Sequence, residues 1–155
     1  MRTDECLHAI GQGALAVECR ADDQTILDLL KPLNHRPTVL SAMAERALMR
    51  FLDGGCSAPI AAHAEVENES LAIDAGVWSL CGKTCVRDKL VSPLKESLPE
   101  AEGLSQLSAI TIPKDEDKSP YLLAHRAGIQ LGQTLVGKGA RSVLESARAQ
   151  VHGQK

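Results

Sequence analysis

Apolar residues change their period along this chain, and each change marks an element. Over residues 22–33, Ile26, Leu27, Leu29, Leu30 and Leu33 recur at helical spacing; Asp22 or Asp23 can cap the start and Pro32 helps to end it. Asn34-His35-Arg36-Pro37 reads as a linker. Thr38 is then placed to cap a second helix running to about residue 52, with Leu40, Met43, Ala44, Ala47, Leu48 and Phe51 toward the core. Strand-like runs follow at 59–66, 71–80 and 84–91, separated by the turns Glu67-Asn68-Glu69-Ser70 and Cys81-Gly82-Lys83, which predicts an antiparallel meander of three strands. Helical spacing returns after Ser119-Pro120, a cap followed by proline, with Leu122, Leu123, Ala127, Leu131, Leu135 and Val136 ending near Gly137. Ala140, Val143, Leu144, Ala147 and Val151 mark a last helix. From residue 38 onward the pattern predicts an α+β fold, a three-stranded antiparallel sheet with helices on one face.

Two segments do not join that pattern. Residues 14–19 form a short apolar run behind Gly11-Gln12-Gly13 and read as a buried strand, yet no partner strand lies near in sequence. A strand and a helix alone bury little surface, so residues 1–33 look like the end of another domain. Residues 92–120 are rich in Ser, Pro, Glu, Asp and Lys, include the run Lys114-Asp115-Glu116-Asp117-Lys118, and read as a mobile surface insertion.

Composition narrows the function classes. A chain of 155 residues with 44% hydrophobic content can bury a real core. A net charge of −3 and only Phe51, Trp78 and Tyr121 as aromatics argue against a nucleic-acid groove. No apolar run approaches the ~20 residues that span a bilayer, and Met1-Arg2-Thr3-Asp4-Glu5 does not begin a signal peptide, so the expectation is a cytoplasmic protein with no membrane partner. Cys6, Cys19, Cys56, Cys81 and Cys85 are odd in number and form no dense framework, which suits reduced thiols.

Among these thiols Cys56 stands apart, because Asp53-Gly54-Gly55-Cys56-Ser57-Ala58-Pro59-Ile60 sets it on a glycine-built turn straight after a helix. Adjacent glycines admit positive φ and let a ligand approach the backbone, which favours a thiol presented for chemistry over one packed as a small hydrophobe. A free thiol on a loop fits the same residues. Other motifs carry less. The stretch from Gly132 to Gly139 nearly spells a phosphate-binding loop, but Gly139 replaces the metal-binding Ser or Thr and the first glycine falls inside a helix. Cys81 and Cys85 flank a turn with no second Cys or His pair at zinc-site spacing, so no metal is expected. His63 or His35 could in principle pair with Cys56. Arg46 and Arg50, four apart on one helix, could meet one anion, although a solvated face paired with Glu45 is the commoner arrangement.

Taken in order, Gly11-Gln12-Gly13-Ala14-Leu15-Ala16-Val17-Glu18, Leu33-Asn34-His35, Ala44-Glu45-Arg46-Ala47 and Gly54-Gly55-Cys56-Ser57-Ala58-Pro59-Ile60 resemble the hydroxymethylbilane synthase (porphobilinogen deaminase) family. Gly76-Val77-Trp78-Ser79-Leu80, the acidic insertion and Gly137-Lys138-Gly139-Ala140-Arg141 resemble its animal form. The resemblance implies a transferase of heme and porphyrin biosynthesis that joins four porphobilinogen molecules head to tail with loss of ammonia. It also implies a dipyrromethane cofactor bound as a thioether to Cys56, flanked by Gly55 and Ser57, with Gln12 and Gly13 near the primer. Residues 1–36 then correspond to the last strand and helix of the family's first α/β domain, and residues 37–155 to its cofactor-carrying α+β domain. The family's catalytic aspartate and substrate-binding arginines have no counterpart here, so no catalytic residue is assigned. The resemblance thus predicts a portion, inactive alone and monomeric, that presents Cys56, meets porphobilinogen and pyrrole-chain intermediates, and docks the absent N-terminal domains. The competing expectation is a noncatalytic interaction or structural module with Cys56 free; a thiol-redox or metal-handling role would instead rest on Cys81 and Cys85.

Overall fold

The computed structural model describes residues 6–54 and 58–152. Its centre is a meander of β1 (Ile60–Glu67), β2 (Ser70–Trp78) and β3 (Cys85–Pro93), antiparallel and in that spatial order. Glu67 pairs with Ser70 across Asn68-Glu69, where φ values of 46° and 59° give the mirror-image turn whose twist suits a hairpin. At the other hairpin Ser79 N–H donates to Thr84 O at 2.9 Å, and Gly82 supplies the positive φ. Alternation places Ala62, Ala64, Leu71, Ile73, Ala75 and Val77 in the core and leaves His63, Asp74, Arg87 and Lys89 on the opposite face.

Helices cover only the inner face. α1 (Gln24–Leu30), capped by Asp23, runs into a 3₁₀ turn at Lys31–Leu33 and buries none of its residues. α2 (Arg36–Phe51) starts two residues before the expected Thr38 cap: Pro37 occupies the first turn, where its missing N–H costs nothing, and Thr38 Oγ1 meets the His35 ring at 2.7 Å. Leu40, Met43, Ala44, Ala47 and Leu48 enter the core as their spacing predicts. α3 (Ser119–Gly137) takes Ser119 as its first residue rather than as its cap, because the Ser119 hydroxyl accepts from Leu98 N–H at 3.0 Å. α4 (Ala140–His152) buries Ala140, Leu144 and Ala147. None of the helices is long and apolar enough to cross a membrane, among the described residues.

Two expectations are corrected. Residues 14–19 form no strand; Leu15 is 100% exposed and Val17 64%, because no neighbouring strand among the described residues offers a ladder. Nor is the segment after β3 confined to the surface. Leu94, Leu98, Ala101 and Ile112 are buried, and a small hairpin, β4 (Gln106–Leu107) with β5 (Ile110–Thr111), turns at Ser108-Ala109 with positive φ at both. Ile112→Ala is therefore expected to cost about 2–4 kcal/mol in urea unfolding; a cost under about 0.5 kcal/mol, typical of surface positions, would show that the segment does not belong to the core.

Candidate functional site

Gly55, Cys56 and Ser57 lie outside the described residues; the residues on either side of them are held as follows. α2 ends with Gly54 N–H donating to Met49 O at 2.9 Å, and Asp53 holds φ +53° with its carboxylate 3.2 Å from Arg148. On the other side Ile60 N–H returns to Ala58 O at 2.8 Å, and Pro59 O accepts from Trp78 N–H at 3.0 Å. The stems touch: a Cβ on Gly54 would stand 2.6 Å from Ile60 Cδ1. A side chain at 54 would require the Ile60 side chain to turn aside.

Gln12 and Gly13 sit on an exposed turn beside the same strand. Gln12 Oε1 accepts from Ala9 N–H at 3.0 Å, Gln12 N–H closes on Ala9 O at 3.0 Å, and Gly11 and Gly13 take φ of 70° and 84°. Gln12 Nε2 and the Gly13 N–H have no hydrogen-bond partner among the described residues. Just upstream, His8 O accepts from Ala62 N–H at 3.0 Å, so this strap runs along the outer edge of β1.

Glu45 joins strap, helix and sheet, and sequence reasoning missed it. Far from facing solvent with Arg46, its carboxylate is buried, accepting from Gly11 N–H at 2.7 Å through Oε2 and from Ala64 N–H at 2.8 Å through Oε1. Burial pushes its pKa above the ordinary glutamate value, opposed first by those two N–H groups and then by His63 and His8. Arg46 leaves in another direction, its Nε donating to Ser108 O at 3.0 Å. Arg50 remains exposed near half-buried His125, whose pKa burial, then Arg50 and Arg126, push down.

The candidate partners for Cys56 separate. His35 begins α2, roughly 24 Å along a helix of sixteen residues from the loop stem. His63 stands edge-on to His8, with ring centroids 4.9 Å apart. Cys81 and Cys85 are exposed thiols; a hydrogen bond with Ser79 and one to the Lys83 backbone hold Cys81 below the ordinary thiol value. No cluster of three metal-ligating side chains occurs among the described residues.

On the open sheet face Arg87 grips Asp74 through two bonds of 2.8 and 2.7 Å and Lys89 adds a third contact at 2.9 Å. The Arg87 hydrogen bond, foremost, lowers the Asp74 pKa. A depressed carboxylate stabilises the fold above its unfolded pKa and loses that contribution as pH falls through the folded one; a raised carboxylate does the reverse. The stability gap between wild type and Asp74→Asn should therefore close on acidification, whereas wild type should gain on Glu45→Gln. Urea midpoints across a pH series test both signs, and parallel curves would refute the assignment.

Fold and site define an α+β domain that carries a Gly-Gly-Cys sequence between a core helix and the first strand of its sheet. Residues 39–112 match the family model for the porphobilinogen deaminase C-terminal domain. Among curated relatives named porphobilinogen deaminase, that of Desulforamulus reducens is 37% identical over 144 residues, 93% of this chain and 38% of its own. That of Synechococcus elongatus is 46% identical over 99 residues, 64% of this chain and 30% of its own. A Prochlorococcus marinus relative is 38% identical over 151 residues, 95% of this chain and 39% of its own. The chain belongs to the porphobilinogen deaminase family through its C-terminal domain, and it spans under two fifths of the length of these relatives.

Proposed function

We propose that this chain serves tetrapyrrole synthesis by presenting Cys56 as the attachment point of a dipyrromethane primer, onto which porphobilinogen units are joined. What carries the reading is the glycine-closed stem: Gly54 abuts Ile60, and the family match spans the Gly-Gly-Cys loop between them. When bound, the primer supplies a pyrrole carbon that takes up each incoming unit. The chain's own part is nucleophilic. A porphobilinogen-derived pyrrole loses ammonia from its aminomethyl group, the Cys56 sulfur forms the new S–C bond to the methylene carbon, and the thiol proton leaves with the released amine. Gln12 Nε2 and Gly13 N–H, open among the described residues, are the donors for the carboxylates of such a ligand.

Elongation is assigned to N-terminal domains that dock on residues 1–36, read as the tail of an α/β domain, with residues 37–155 as the cofactor domain. Exposed Leu15, Val17, Leu29 and Leu33, at 64–100% exposure, support that docking. The same apolar stretch supports a second reading, a noncatalytic module that binds a partner there while Cys56 stays free. Intact mass and peptide mapping after incubation with porphobilinogen decide between them. A two-pyrrole increment on the Cys56 peptide is the expected result; a bare thiol, with pyrrole absent or scattered over Cys6, Cys19, Cys81 and Cys85, would favour the noncatalytic module. A reducing cytoplasm, where these exposed thiols persist, is the compartment proposed.

A further inference from the structure

Glu45 is a buried charge that primer attachment does not use. Ionised groups are seldom buried without reason, since a well-packed apolar residue would usually serve the core as well or better. Its two partners are backbone N–H groups, on Gly11 and Ala64, 34 and 19 residues away in sequence. Ala64 is on the outer edge of β1, where the neighbouring donor, Ala62 N–H, already goes to His8 O. Beside that bond, the packing of Ile10 against the core and the edge-on contact of the His8 and His63 rings, Glu45 supplies the strap's side-chain hydrogen bond to helix and sheet among the described residues.

We propose that Glu45 is a positioning residue: its carboxylate clasps the Gly11-Gln12-Gly13 turn to the edge of β1, the strand that follows the Gly-Gly-Cys segment, so that turn and sheet move as one body. What the turn is positioned for rests on the attachment reading above; the clasp rests on the two bonds themselves. Gly11 is held, and the next donors along the chain, Gln12 Nε2 and Gly13 N–H, stay free to meet a ligand. A glutamine at 45 keeps the shape but sets an NH₂ group against one of the two N–H donors, whereas alanine leaves both unpaired.

Amide hydrogen exchange on the full 155-residue chain tests the clasp in wild type, E45Q and E45A. The expected result is exchange at Gly11 faster by about tenfold or more in E45A, the size of a lost charge-assisted hydrogen bond, and the same at Gly11 or Ala64, whichever meets the NH₂ group, in E45Q, while Ile73 and Ala75 in the β2–β3 ladder keep wild-type protection. An unchanged Gly11 rate in E45A, unchanged rates at both Gly11 and Ala64 in E45Q, or equal acceleration at Gly11 and Ile73 would overturn the proposal; if E45A does not fold, E45Q decides. The mass of the Cys56 peptide in the same samples separates the two readings. Wild type with a protected Gly11 but no adduct would sink attachment and leave the clasp standing. An adduct on a wild type whose Gly11 is unprotected would keep attachment and remove the clasp. Where wild type takes up the adduct, E45Q should acquire it more slowly while still folded at the assay temperature, and an unchanged rate would also overturn the positioning role.

Discussion

Gly128→Ala is expected to unfold the domain, although alanine is ordinarily the better helix residue. At this crossing of α3 and α2 a Cβ on Gly128 would lie 2.1 Å from Ala44 O, 2.9 Å from Ala44 C and 3.0 Å from Ala47 Cβ. Two of these are backbone atoms of a helix whose Met43, Ala44 and Leu48 are fully buried, so nothing can rotate aside and the helices must separate. Overpacking of this kind costs about 1–3 kcal/mol where side chains can adjust and more where backbone must move. Against a total stability of about 5–15 kcal/mol, a loss above ~4 kcal/mol leaves little folded population. Gly132→Ala is the internal control. Its Cβ would meet the Phe51 ring at 2.6 Å, but Phe51 is half-buried and can turn, and the roughly 1 kcal/mol gained in helix propensity offsets the shift. Circular dichroism and urea titration of both variants give the comparison. Equal stability would mean that the two helices do not pack through Gly128.

That crossing illustrates what one sequence discloses. The spacing of Leu40, Met43, Ala44, Ala47 and Leu48 identified the core face of α2, and alternation plus the Asn68-Glu69 turn identified the meander, because period and turn chemistry are local properties of the chain. Gly128 and Gly132 carry no local signal of their purpose, which lies in the partner helix. Residues 14–19 failed for a related reason: an apolar run looks alike whether buried or bare, and Leu15 is wholly exposed. Leu94, Leu98 and Ala101 stand at i, i+4 and i+7, but in a polar, proline-containing stretch that forms no α-helix, and Ile112 follows eleven residues later, so period alone did not announce these core anchors.

The candidate site divides along the same line. Cys56, Gln12 and Gly13 enter as candidates through ordered motifs and glycine placement. Glu45 was not, because its partners are backbone N–H groups of Gly11 and Ala64, which leave no side-chain signature. One signal was present: Glu45 follows Met43-Ala44 and precedes Ala47-Leu48 on a core-facing helix, a place where a carboxylate must find donors. Arg46 escaped similarly, as its acceptor is the Ser108 carbonyl. Side chains that serve the backbone are the class a single sequence hides best.

Cys56→Ser is expected to abolish covalent pyrrole attachment completely while leaving the fold intact. Sulfur is polarisable, and a thiol with a pKa near 8.5 supplies some thiolate at neutral pH, whereas a serine hydroxyl needs a base to become comparably nucleophilic. Of the two candidate bases, His35 sits at the far end of α2 with its ring on Thr38 Oγ1, and His63 stands edge-on to His8. The substitution falls between stems fixed by bonds that do not involve the side chain, Gly54 N–H to Met49 O and Trp78 N–H to Pro59 O, so stability should change by no more than about 0.5 kcal/mol. Mass spectrometry should then show an adduct on wild type and none on Cys56→Ser, with superimposable urea curves. An adduct surviving in Cys56→Ser, carried by Cys81 or another exposed thiol, would move the chemistry away from the glycine loop. An unfolded Cys56→Ser would instead make Cys56 a packing residue, and the thiol would lose its claim to be the anchor.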